Sequence, residues 1–109
     1  MATTYKLLGS SAPGTAGATL YTVPTGFQAV ASSLVITNLS SSAANFTVVV
    51  KTGSAGATLD NNFISYQTAI PANDSVIMTL GLALSSSYVV QVSGSTSKVA
   101  FNLFGAELN

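Results

Sequence analysis

Apolar side chains in this chain recur at every second residue, and no window sustains the 3.6-residue apolar period of an amphipathic helix. Successive side chains of an extended strand point to opposite faces, so this pattern commits the chain to half-buried β-strands. Eight segments carry it: Thr3–Leu8, Thr19–Val23, Gln28–Asn38, Asn45–Lys51, Phe63–Ile70, Ser75–Leu80, Tyr88–Ser93 and Val99–Ala106. Leu82 and Leu84 extend the sixth segment past Gly81. Val, Ile, Thr, Tyr and Phe, whose branched or flat side chains suit a pleated surface, are plentiful in them. The breaks carry turn chemistry: Pro13-Gly14, Pro24-Thr25-Gly26, Pro71-Ala72-Asn73-Asp74, and the serine runs 40–42 and 85–87. Eight short strands at this spacing predict an all-β fold, an antiparallel β-sandwich of jelly-roll type. The 109 residues make a single domain, residues 1–109, in which residues 1–18 are read as an extended N-terminal arm.

Alternation also names a core. The inward sets are Val30, Leu34 and Ile36; Phe46, Val48 and Val50; Ile64 and Tyr66; Val76, Met78 and Leu80; Tyr88, Val90 and Val92; and Val99, Phe101 and Leu103. Val35, Val49, Val89 and Phe104 point the other way. An antiparallel sheet with one wet face should be polar at such positions. These four are therefore the candidate residues of an oligomer or partner interface.

Charge sets the next limit. Three Lys, three acids and no Arg make up 6% of the chain, and the net charge is zero. A typical soluble protein carries about 25%. Little self-repulsion opposes association with copies of itself. Nucleic-acid binding needs clustered cations, but Lys6, Lys51 and Lys98 are more than 40 residues apart. No nucleic-acid partner is expected. With no His and no Cys, the usual ligands of zinc and iron–sulfur sites are missing, as are cysteine nucleophiles and Ser–His pairs. The expectation is no catalytic residue, no cofactor, no metal and no enzymatic activity. The longest apolar window, Val76–Val92, is broken by Thr79, Gly81, Ser85, Ser86, Ser87 and Gln91, short of the about 20 apolar residues of a spanning helix. The N-terminus offers only Leu7-Leu8 where a signal peptide has 7–15 apolar residues. No membrane partner is expected, and assembly in a cytoplasm is.

Some motifs look chemical and have plainer readings. Gly14-Thr-Ala-Gly-Ala-Thr-Leu20 nearly repeats as Gly53-Ser-Ala-Gly-Ala-Thr-Leu59. Neither copy has the Lys of a phosphate-binding loop, and both read as loops. Asp60-Asn61-Asn62 places oxygens in a row as a calcium loop does, but Asp and Asn also favour turns by bonding their own backbone. Asn38-Leu-Ser, Asn45-Phe-Thr and Asn73-Asp-Ser match the glycosylation pattern, as a chain with 29 Ser and Thr does by chance. Glycan recognition on a sandwich draws on exposed aromatics. There is no Trp here, and Tyr5, Tyr21, Phe27, Phe63 and Phe104 are the aromatics outside the inward sets.

Three pieces carry a resemblance: Leu20-Tyr21-Thr22-Val23-Pro24-Thr25-Gly26, Leu34-Val35-Ile36-Thr37-Asn38, and Phe101-Asn102-Leu103-Phe104-Gly105-Ala106-Glu107. In order, they are a strand ending in Val-Pro-x-Gly, an apolar strand ending in Asn before a Ser-rich turn, and a closing aromatic strand with a Gly-x-Glu ending. Over residues 19–107 the chain resembles small β-sandwich virion structural proteins of tailed bacteriophages, of the capsid decoration or cement type. The resemblance implies a non-enzymatic protein in many copies on the particle, assembled in the host cytoplasm. It implies a homotrimer seated on the major capsid protein or another virion protein. The alternatives are a tail, baseplate or fibre component, or a glycan-binding β-sandwich module.

Overall fold

The computed structural model describes residues 2–53 and 60–109. Eight strands run in chain order: β1 (Thr3–Ser11), β2 (Ala18–Thr22), β3 (Gln28–Asn38), β4 (Ala44–Lys51), β5 (Phe63–Ile70), β6 (Ser75–Leu84), β7 (Val89–Gly94) and β8 (Val99–Leu108). Among the described residues the other regular elements are two short 3-10 turns, Gly14–Ala16 and Asp60–Asn62. The second is the turn expected of Asp60-Asn61-Asn62. Most of the second glycine-rich repeat, from Ser54 to Leu59, lies outside the described residues.

The strands form two antiparallel four-stranded sheets, β1-β8-β3-β6 and β2-β7-β4-β5. First pairs with eighth, second with seventh, third with sixth and fourth with fifth. That is the wrapping of an eight-stranded jelly roll, the fold that the alternating segments predict. Residues 3–11, which include the alternating segment Thr3–Leu8 within the extended N-terminal stretch, are the edge strand of the first sheet, laddered to β8 from Thr3↔Leu108 to Ser11↔Phe101.

The inner faces meet in one core. Leu34, Ile36, Phe101 and Leu103 of the first sheet pack on Phe46, Val48, Val90 and Val92 of the second. Phe46 and Phe101 meet edge to face, with ring centroids 6.4 Å apart. Val76, Met78, Leu80 and Tyr88 pack on the core from its margins.

Three expected core residues lie outside it. Val30 is exposed, while its neighbours Ala29 and Ala31 are buried. The register of β3 slips between Ala31 and Ser33 against both neighbouring strands. A one-residue slip exchanges the two faces, so Ala29 and Ala31 face inward before it, and Leu34 and Ile36 after it. Ile64 and Tyr66 are also exposed. Edge strand β5 changes register twice against β4, which sets Ser65 opposite Val48 and Thr68 opposite Phe46. Gln67, at φ +46°, sits in this irregularity. Its backbone N–H donates to Thr47 Oγ1 at 3.0 Å, and the Ser65 and Thr68 hydroxyls bond each other.

Asn38 explains why an apolar strand ends in a polar residue. Its side chain is buried. The amide nitrogen donates to the Ser42 carbonyl at 2.9 Å and the Pro71 carbonyl at 3.2 Å, and the amide oxygen accepts from Ser40 N at 3.0 Å. It thus ties the β3–β4 turn to the β5–β6 turn. Burial also removes Asn38 from the sites a glycosyl group could reach.

Candidate functional site

Register defines what each sheet shows to the outside, because residues directly opposite in a ladder point the same way. Three rows cross the outer face of the first sheet. Tyr5, Ala106, Val30 and Ala83 form one row; Leu7, Phe104, Ser33 and Thr79 the next; Asn102, Val35 and Ile77 the third. Tyr5 is 82% exposed, Ile77 68%, Leu7 47%, Phe104 40% and Val30 39%. They are five of the eight large apolar side chains left exposed among the described residues. A hollow of about 220 Å³ lies between Tyr5, Val30 and Leu108. No outward position on these four strands carries a charge.

The charges of the first sheet lie on its other side. Glu107 follows Phe101, Leu103 and Gly105 on the inward parity of β8 and is buried at the mouth of the sandwich. Lys6, opposite Gly105 in the ladder, places its Nζ 2.8 Å from Glu107 Oε1. Tyr21, on the second sheet, donates its hydroxyl to Glu107 Oε2 at 2.5 Å. The Lys6 ammonium and then the Tyr21 hydroxyl hold the Glu107 carboxyl below its ordinary pKa, against an opposing effect of burial. Burial, and next the bond to Glu107, push the Tyr21 phenol above its usual value. A carboxylate held ionised in this way is unsuited to donating a proton near neutral pH. What the cluster does is join the two sheets.

The outer face of the second sheet differs. A depression of about 410 Å³ is lined by Thr15, Thr19, Thr47, Gln91 and Ser93 together with Val49 and Phe63. A second hollow adjoins it, adding Asn45, Gln67 and Ser95. Phe63 is met edge to face by Tyr66, with centroids 5.0 Å apart. Hydroxyls and amides share this groove with Ala16, Ala18, Val49, Phe63 and Val92.

The four expected interface residues therefore do not share one surface. Val35, partly buried, and Phe104 lie on the outer face of the first sheet. Val49 and Val89 lie on the outer side of the second, beyond the core cluster, and are only 7% and 1% exposed. Those two valines are already covered within the chain and have little surface left for a partner. Tyr5, Leu7, Val30 and Ile77 belong to the exposed face and are not in the expected set. The signal that could have found Tyr5 and Leu7 was their position on the outward parity of β1, opposite Ala106 and Phe104. Among the described residues no three or more acids, His or Cys gather as a metal site would require. No helix among them is long and apolar enough to cross a membrane.

No protein-family model and no curated protein sequence matches the chain. Among solved structures it is similar to a chain in the structure of infectious bursal disease virus, Gx strain. The TM-score is 0.50 and the identity 12%; the match covers 97% of this chain and 30% of that one. The likeness is one of fold.

Proposed function

We propose that this chain is a non-enzymatic structural protein of a virion, a capsid decoration or cement protein that stabilises the head of a tailed phage. Copies would associate with one another and seat on the major capsid protein or another virion protein, after assembly in the host cytoplasm. The observation that carries the reading is the outer face of the first sheet, apolar and without charge in a chain of zero net charge. Apolar patches larger than a few hundred Å² are rare on monomers and mark interaction surfaces. The jelly roll also occurs in lectins and enzymes, so fold alone assigns no role. The fold likeness to a chain of a virus structure supports this reading over those, as does the resemblance in the three sequence pieces. The chemistry requires no metal, cofactor, nucleic acid or membrane.

Purified particles test it by copy number. Copies near stoichiometric with the major capsid protein support decoration. Tens of copies or fewer move the chain to a tail, baseplate or fibre. Absence from particles overturns the virion role. Attachment through apolar contacts and Ser, Thr and Asn hydrogen bonds should survive a wash in about 1 M salt, where the Debye length is about 3 Å.

One observation favours a second reading. The groove on the second sheet, lined by Thr, Gln and Ser side chains together with Phe63, offers a neutral sugar both hydrogen bonds and an aromatic surface. As a glycan-binding module the chain would bind sugars saturably, and Phe63→Ala would abolish that binding.

A further inference from the structure

We infer that the outer face of the first sheet is covered by the same face of a second copy of this chain, related by a two-fold axis. The inference rests on the self-association in the reading above and is independent of its virion half. Its occupant follows from charge, area and the distribution of apolar surface.

Charge comes first. Lys6 and Glu107, the charged residues of β1 and β8, take the inward parity of the ladder and pair with each other, Glu107 buried and Lys6 half-exposed. The outward rows hold Tyr5, Leu7, Val30, Ile77 and Phe104 among small and hydroxyl side chains. A charged partner laid on this face would lose hydration and find no counter-charge. An uncharged surface suits another uncharged one, and a second copy supplies it in full.

Area comes next. Four strands spaced about 4.8 Å apart and roughly 30 Å long have a footprint of about 600 Å², and side-chain relief raises the accessible area toward the standard interface of about 800 Å² per partner. Two such faces would stack about 10 Å apart, as the sheets of a sandwich do.

Symmetry follows from what the rest of the surface lacks. The other large exposed apolar residues among the described ones are Leu39, Ile64 and Tyr66. Leu39 lies in a turn, and the other two lie on edge strand β5. A head-to-tail ring, the arrangement of a cyclic trimer, would set the apolar face against these scattered positions. A two-fold contact sets it against itself, with each patch both donor and receiver of the contact.

The test is the mass of the purified full chain by light scattering, with far-UV circular dichroism as the check on folding. The wild type is expected at the mass of two chains. Tyr5→Lys with Ile77→Lys, both at exposed outward positions, should halve that mass and leave the β spectrum unchanged. Tyr66→Lys, exposed but off the face, should stay at two chains. A wild-type mass of one or three chains overturns the inference, as does a folded double variant that remains at two. If the double variant loses its β spectrum, Leu7→Ser with Phe104→Ser replaces it under the same criterion. A two-chain mass with no chain found on particles would sustain this inference and sink the virion reading. The reverse pair of results would do the opposite.

Discussion

The two outer faces are built from similar alternating strands and end in opposite states. On the first sheet, Tyr5, Leu7, Val30, Ile77 and Phe104 stay open to solvent. On the second, Val49 and Val89 also point away from the core yet are buried, and Val49 lines a groove with Thr, Gln and Ser side chains. An outward apolar residue is thus not by itself an interface residue. Ladder parity decides the side of the sheet, and only the rest of the chain decides whether that side is covered. One outer face is covered and contributes to the stability of the single chain; the other is left exposed.

Substitutions can break or sharpen this contrast. The largest effect belongs to the interior that both sheets share. Phe101→Ala removes a fully buried ring packed on Phe46 and should cost about 3–5 kcal/mol. Denaturant unfolding that moves by less than about 1 kcal/mol would refute the inward parity of β8. Next is the covered outer face. Val89→Ala deletes two buried methyl groups and should cost about 2 kcal/mol. A neutral result would put Val89 in the same class as Ile77 and dissolve the contrast.

Glu107→Gln comes third. It removes the charge that Lys6 and Tyr21 share, at a cost of about 1 kcal/mol near neutral pH, since Lys6 remains half-exposed. The sign with pH follows from the direction of the shift. The Glu107 carboxyl is held below its ordinary value when folded, so its contribution is full above the unfolded glutamate pKa of about 4.3 and fades as pH falls through the lower folded value. Tyr21 is raised, so its contribution is full below an unfolded pKa of about 10 and fades as pH rises past it. The difference in unfolding free energy between wild type and variant should therefore shrink in acid. A difference that stays constant down to about pH 2 would show that the carboxylate charge contributes nothing. The smallest effect on stability falls on the open face. Ile77→Ser should shift unfolding by no more than about 0.5 kcal/mol at chain concentrations low enough to keep the protein monomeric. A loss comparable to that of Val89→Ala would mean that something in the same chain already covers Ile77.

Much of this architecture is legible in the order of the residues alone. Strand alternation and turn chemistry are local properties, written within a few residues, so all eight segments could be read from them. Leu34, Ile36, Phe46, Val48, Val90, Val92, Val99, Phe101 and Leu103 sit in the core where their parity puts them. Parity fails where the ladder slips, and no local signal announced the slips near Ser32 or Gln67. Val30, Ile64 and Tyr66 were misplaced for that reason. Half of the interface set, Val35 and Phe104, lies on the exposed face, while Val49 and Val89 do not.

The Lys6–Glu107–Tyr21 cluster marks the boundary between the two kinds of information. Glu107 on the inward parity of an apolar strand already required a partner, because an unpaired charge is costly to bury. Which partner it found depended on a contact 86 residues away in sequence, made when β2 of one sheet closes over β8 of the other. Period, turns and the scarcity of charge are carried by neighbouring residues, and they determined a β-sandwich poor in electrostatic contacts. Which outward valines are covered, which charges meet and which face stays bare depend on contacts between residues distant in the chain, and those form only once the two sheets have packed.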